Sequence, residues 1–258
     1  MEDSPFSKRE TTTASRNDRD ENAILDAQEQ HWEATFVQKP DMFGRDPSEP
    51  AVWAAERFRQ EKKLRLLELG CGQGRDTLFF GRSGFRVTAV DYSQSALDAV
   101  TANAQSAGLA HLIETRRQDV RDPFPFPDES FDGCFSHTLY CMALTTPVLE
   151  LLSREVWRVL VPGGLNVYTV RHTADAHRGT GIHRGEEMWE IGGFIVHFFD
   201  REKVARLAKG YEIVSIDEFE EGGPPRKLFR VTLRKSAIHT LPRSNPRGRR
   251  ISLRGRMP

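Results

Sequence analysis

The sequence predicts an α/β fold: a mostly parallel sheet, helices on both faces, and an antiparallel strand near one edge. Three observations carry this. A continuous apolar run, "LRLLEL" (64–69), leads into a glycine-rich turn and a helical pattern. Strand and helix patterns then alternate for about a hundred residues, as crossover units do. The chain then changes to two strands of alternating polarity, "YEIVSIDEFEE" and "KLFRVTLRK", joined by "GGPP", which reads as a hairpin.

In chain order, "LRLLEL" is the first strand, apolar throughout because a central parallel strand is covered on both faces. "GRDTLFFGRSG" carries apolar residues at helical spacing and stops at Gly84. "FRVTAV" (85–90) is the second strand. "SQSALDAVTANAQSAG" is a helix with Ser93 or Ser95 as N-cap and Gly108 as terminator. "LIETRRQDV" and "FDGCFSH" (131–137) are the third and fourth strands. "PVLELLSREVWRVLVPGG" places Leu149, Leu152, Val156, Val159 and Leu160 on one side of a helix, with "PGG" as its stop. "LNVYTV" (165–170) is the fifth strand. "DREKVARLAKG" is a helix capped by Asp200 and ended by Gly210.

The stretch "LLELGCGQGRDTLFF" (66–80) has glycines at 70, 72 and 74. A dinucleotide turn reads G-x-G-x-x-G so that a pyrophosphate meets the helix N-terminus. Here position 75 is arginine, and no GK[ST] follows to make a P-loop. Asp91 ends the second strand, 21 residues after Gly70, where an acid accepts from vicinal ribose hydroxyls. Asp119 ends the third strand, where a carboxylate can accept from an adenine amino group and the Val120 amide can donate to a ring nitrogen. With Glu68 before the glycines, three carboxylates would repel a polyphosphate and tolerate a cation.

The ordered blocks "ELGCGQG", "VTAVDYS", "RQDV", "FDGCFSH" and "RVLVPGG" resemble the class I S-adenosylmethionine-dependent methyltransferases over about residues 60 to 172. "GCGQGRD" and the chain's closing strands look most like the small-molecule branch with the tellurite-resistance and thiopurine methyltransferases. The resemblance implies a Rossmann-like, seven-stranded sheet of order 3-2-1-4-5-7-6 with the seventh strand antiparallel, and S-adenosyl-L-methionine as cofactor. It places Gly70, Gly72 and Gly74 near the methionine portion, Glu68 near its ammonium, and Asp91 on the ribose. Tyr92 is expected beside the adenine, with Asp119 and Val120 on its edge; Cys71, Ser93 and Ser136 complete the expected cofactor-binding set. The implied reaction is in-line methyl transfer to a small molecule, which requires neither a covalent intermediate nor a metal. Methylation of protein or RNA, or donor binding without catalysis, are the alternatives.

In open α/β sheets the reacting site lies beyond the carboxyl ends of the strands. His137, Tyr140 and His172 follow strands four and five and are the candidate catalytic residues. The insert 171–199 holds His172, His177, His183 and His197 and is expected to be an acceptor-site lid. The loose H-x4-H-x5-H spacing there does not suit a metal. Residues 22–60, carrying Trp32, Phe36, Phe43 and Trp53, are too apolar for a free leader and are expected to form cap helices over the donor. Residues 1–21 and the tail 236–258, with six arginines and no acid, read as disordered flanks of a methyltransferase domain at 22–235. The formal net charge of zero points to neither nucleic acid nor acidic lipid. No stretch reads as a signal peptide or membrane helix, and the three cysteines read as reduced thiols. A cytoplasmic enzyme is the expectation.

Overall fold

The computed structural model describes residues 16–223 and 225–236. Two leader helices, α1 (Arg16–Gln38) and α2 (Glu49–Gln60), precede the sheet. They are followed by β1 (Arg65–Leu69), α3 (Arg75–Arg82), β2 (Arg86–Asp91), α4 (Gln94–Ser106), β3 (Ile113–Arg117) and β4 (Phe131–His137). A short 3₁₀ turn (Leu139–Cys141) leads to α5 (Thr146–Val159) and β5 (Leu160–Arg171). An insert holds β6 (Ile182–His183), β7 (Met188–Ile191) and β8 (Phe194–His197), and the chain closes with α6 (Arg201–Leu207), β9 (Tyr211–Glu221) and β10 (Arg226–Lys235).

The main sheet has the order β3-β2-β1-β4-β5-β10-β9, which is the predicted order. β10 runs antiparallel to both β5 and β9, while β1 pairs in parallel with β2 and β4. β9 therefore points the same way as β1 to β5, and its C-terminus reaches the same sheet edge. The order reverses between β1 and β4, so a crevice opens beyond the ends of those strands.

Two apolar layers cover the sheet. On one side Phe58 of α2, Phe80 of α3 and Val100 of α4 pack on Leu66, Val87 and Phe135. On the other, Leu149, Leu152, Val156 and Val159 of α5 pack on the opposite faces of β1, β4 and β5. These four are at most 1% exposed, and burying each contributes about 1.5–3 kcal/mol. Ser93 caps α4, accepting from the Ala96 amide at 3.1 Å. Asp200 caps α6 through the Lys203 amide at 2.7 Å, as expected from sequence.

Two boundaries differ from the sequence expectation. α5 ends at Val159, and Leu160 and Val161 begin β5 rather than extend the helix, because Leu160 already pairs with Phe131. α1 begins at Arg16, inside the stretch 1–21 expected to lack structure; residues 1–15 lie outside the described residues. The expected basic tail lies outside them too, apart from Ser236. The insert 171–199 forms a three-stranded antiparallel sheet, β6-β7-β8. Its base is fixed by Asp175, whose side chain is fully buried and grips Arg171 at 2.6 and 2.8 Å. Among the described residues no helix is long and apolar enough to cross a membrane.

Candidate active site

A cavity of about 380 Å³ opens at the crevice beyond β1, β2 and β4. Its inner end is the glycine turn. Gly70 (φ +67°) and Gly72 (φ +50°) take left-handed backbone that residues with a Cβ adopt at a cost. The amides of Gly70 and Cys71 both donate to the Val90 carbonyl, at 2.9 and 3.1 Å, which ties the turn to the end of β2. A Cβ on Gly72 would meet the Phe36 ring at 3.4 Å, an ordinary contact, so the leader packs directly on the turn and it is the positive φ that calls for glycine. Gly74 does a different job. It sits at φ +85°, N-terminal to α3, and a Cβ there would lie 2.7 Å from Val100. It lets α3 and α4 meet and does not line the cavity.

Three carboxylates stand around this end. Glu68 is 3% exposed, and its Oε2 has no hydrogen-bond partner. Burial, then the charge of Asp76, raises its carboxyl well above the usual range, against the neighbouring Thr77 hydroxyl, which works to lower it. Asp91 accepts from the Gly72 amide on Oδ2 and the Ser93 amide on Oδ1, each at 2.9 Å. Burial pushes it up to about 6 even so. Asp76 accepts from the amide and hydroxyl of Ser48, at 2.7 and 2.8 Å, which fixes the start of α2 against α3. Tyr92, Gln118 and Val120 continue the wall.

The leader closes the cavity, with Trp32, Phe36, Met42 and Phe43 in its lining. One side chain clips it there. Gln73 Nε2 donates to the carbonyls of Phe36 and Lys39 at 3.1 and 3.2 Å, and its Oε1 accepts from the Met42 amide at 3.0 Å. Trp32 is backed by Phe194 of β8, with ring centroids 4.6 Å apart. Trp53 instead packs under Arg230, 4.2 Å from ring centroid to guanidinium, away from the cavity.

At the outer end, His137 closes β4. Its Nδ1 lies 2.8 Å from Thr169 Oγ1 and its Nε2 lies 3.2 Å from Glu221 Oε1. Arg226 Nη2 donates to Glu221 Oε2 at 3.2 Å. Burial works to raise the Glu221 carboxyl, but the His137 hydrogen bond and the Arg226 charge hold it below the usual range.

Of the expected residues, the cavity brings together Glu68, Gly70, Cys71, Gly72, Asp91, Tyr92, Val120 and His137. The others lie elsewhere. Asp119 is turned to Arg121, whose guanidinium grips it bidentately at 2.7–3.1 Å, because a planar fork two residues on is the strongest local partner for a carboxylate. Ser93 is spent as the α4 cap, and Ser136 is fully buried in β4. Tyr140, expected to be catalytic, is fully buried with its ring stacked on Tyr168 at 4.3 Å, because the 3₁₀ turn directs it into the core. His172 is stacked on Phe229 at 4.7 Å, its Nδ1 accepting from the Ala174 amide at 3.1 Å, and it faces away from the cavity. No residue of the insert 171–199 lines the cavity; the insert buttresses Trp32 rather than covering the site. Sequence reasoning missed Gln73, Glu221 and Arg226. The signal for the last two was the strand order itself, which brings the β9–β10 turn to the crevice edge. Among the described residues no group of three or more His, Cys, Asp or Glu could hold a metal ion.

Residues 66–164 match the family model described as a methyltransferase domain. Over 79% of its length the chain is 29% identical to 24-methylenesterol C-methyltransferase 2 of Oryza sativa subsp. japonica. It spans 57% of that protein, so the chain covers little more than half of this curated relative. Among solved structures, it resembles the 1,6-didemethyltoxoflavin-N1-methyltransferase of Burkholderia thailandensis, with a TM-score of 0.66 and 17% identity over 91% of this chain and 93% of that one. TehB from Haemophilus influenzae gives a TM-score of 0.59 and 16% identity over 80% and 67%. The matched segment runs from β1 into β5 and contains the glycine turn, Asp91 and His137, and the fold is the one these solved structures share.

Proposed function

We propose that the chain is an S-adenosylmethionine-dependent methyltransferase acting on a small molecule. The observation that carries this is the buried, unpartnered Glu68 Oε2 at one end of a cavity shared with Asp91. A buried acceptor without a donor costs about 1–3 kcal/mol, and a ligand ammonium would supply what is missing. Asp91 would hold the ribose hydroxyls, with Tyr92, Gln118 and Val120 around the base. When bound, this group supplies a methyl on a sulfonium with a good leaving group. The chain's own part is to position the reactants, which can lower the barrier by about 7–11 kcal/mol, and to exclude water through the clipped leader.

A small acceptor is supported by the walls. They combine leader aromatics with four carboxylates, Glu68, Asp76, Asp91 and Glu221, a lining that suits a cation and an apolar body better than a polyphosphate chain. TehB shares the fold, and the rice relative is a 24-methylenesterol C-methyltransferase. We therefore leave the branch open and hold to the small molecule. Calorimetry with S-adenosylmethionine, its demethylated product and NAD tests the donor: the first two bind and NAD does not. Transfer of labelled methyl to a panel of phenols, amines, thiols and halides tests the reaction. Donor binding without transfer to any small acceptor would favour a macromolecular substrate or a non-catalytic role.

A further inference from the structure

The outer end of the cavity has its own chemistry, and the inference from it rests on the methyltransferase reading above. Its polar groups are His137, Glu221 and Arg226, and the cavity it belongs to is walled by leader aromatics, with Trp32 5.4 Å from Phe36 and 6.3 Å from Phe43, centroid to centroid. Thr169 Oγ1 accepts from the Thr138 amide at 2.9 Å. An ionised carboxylate only accepts, so Nε2, 3.2 Å from Glu221 Oε1, carries the ring's proton, and Nδ1 of the neutral ring accepts from the Thr169 hydroxyl. His137 in this tautomer has no lone pair left to act as a base. Glu221 has: each of its oxygens receives one hydrogen bond, from His137 or from Arg226, and a carboxylate oxygen accepts more than one.

We propose that Glu221 takes the proton of the methyl acceptor, that His137 and Arg226 position it, and that the acceptor is an aromatic molecule reacting through an N–H or O–H group. In the step, a lone pair on the acceptor heteroatom forms the bond to the methyl carbon. The carbon–sulfur bond breaks with its electron pair going to sulfur, and the heteroatom's proton passes to Glu221 and then to solvent. A carboxylate held below its usual range suffices, because a heteroatom gaining a fourth substituent or a positive charge becomes strongly acidic as the bond forms. A thiolate, which has already lost its proton, gains nothing from the group.

The test uses naphthol and naphthalenethiol as paired probes with the same ring. Glu221→Gln keeps the shape and removes the base. It should slow transfer to naphthol by at least about 100-fold and not slow transfer to the thiolate at pH 8. His137→Gln keeps a donor to Glu221 and should lose less than about tenfold with naphthol. Affinity for S-adenosylhomocysteine, measured by calorimetry, should be unchanged in both variants, which shows that they are folded. The naphthol rate in the wild type should be flat between about pH 5.5 and 8. A rise through pH 6–7 would move the base to His137 and overturn the assignment. So would a full naphthol rate in Glu221→Gln, an equal loss with both probes, or a wild type that binds the product yet methylates neither probe. Failure of the wild type to bind S-adenosylhomocysteine would overturn the underlying reading instead.

Discussion

Replacing Asp91 with asparagine should weaken the donor site without weakening the fold. Burial raises the Asp91 carboxyl from 3.8 to about 6. At about 1.4 kcal/mol per unit this amounts to about 3 kcal/mol. The folded-state value lies above the unfolded one, so the stability is fully present below about pH 4 and is lost as pH rises through about 6. Above that, the ionised carboxylate costs the free protein about 3 kcal/mol. Asparagine removes this cost but accepts through one oxygen only, whereas Gly72 and Ser93 donate to separate oxygens of Asp91. One amide then faces an NH₂ group, at about 1–3 kcal/mol. The variant should therefore be between unchanged and about 2 kcal/mol more stable at pH 7.5, and the wild type's excess loss between pH 4 and 7 should vanish. Urea unfolding across that range reads both. Affinity for S-adenosylhomocysteine should fall at least about tenfold, since a charged hydrogen bond to ribose is worth about 1.5–3 kcal/mol. A variant destabilised by more than about 1 kcal/mol at pH 7.5, or one with the wild-type pH slope, would refute the burial reasoning. Unchanged affinity would refute the ribose assignment.

Asp175→Asn should cost about 3–5 kcal/mol in urea unfolding at pH 7, because it leaves the nearly buried Arg171 unpaired; the Asp175 carboxyl is lowered to about 2, so this contribution is present above pH 4 and is lost as pH falls through about 2. Gly74→Ala should lower stability by about 1–3 kcal/mol through its φ of +85° and its approach to Val100, and Val100→Ala in the same chain should restore only the steric part. His172→Gln should leave product affinity and transfer to naphthol unchanged while lowering the melting temperature, which activity and scanning calorimetry separate. Phe194→Ala removes the backing of Trp32 and should raise the acceptor KM with donor affinity intact.

The inner end of the cavity was legible because its residues sit at strand ends and in one turn, where spacing fixes position. Gly70, Gly72, Glu68 and Asp91 all stand where a strand–turn–helix unit must put them. Gly74 was legible as a glycine but not as a packing residue, since that depends on Val100 in another helix. Asp119 shows the limit of strand-end logic: a nearby Arg121 reorients its side chain without moving its backbone. Tyr140 and His172 were chosen for following strands, yet side-chain direction, not chain position, decides which space a residue enters. Glu221 and Arg226 were hidden because β9 and β10 must first be placed in the sheet. The leader aromatics were legible as a closing segment. The Gln73 clip that holds them was not, because a glutamine in a glycine turn has no pattern of its own.

The matched stretch 66–164 contains the glycine turn, Asp91 and His137, but the rest of the cavity wall comes from two distant pieces. Trp32, Phe36 and Phe43 belong to the leader, and Glu221 and Arg226 flank the last hairpin turn. The molecule is thus assembled like a tool with a fixed handle and an exchangeable jaw. Grafting the leader and hairpin tip from another protein of this architecture should redirect the choice of acceptor while donor affinity stays with the host, and the reciprocal graft should carry this chain's acceptor preference to a foreign donor site.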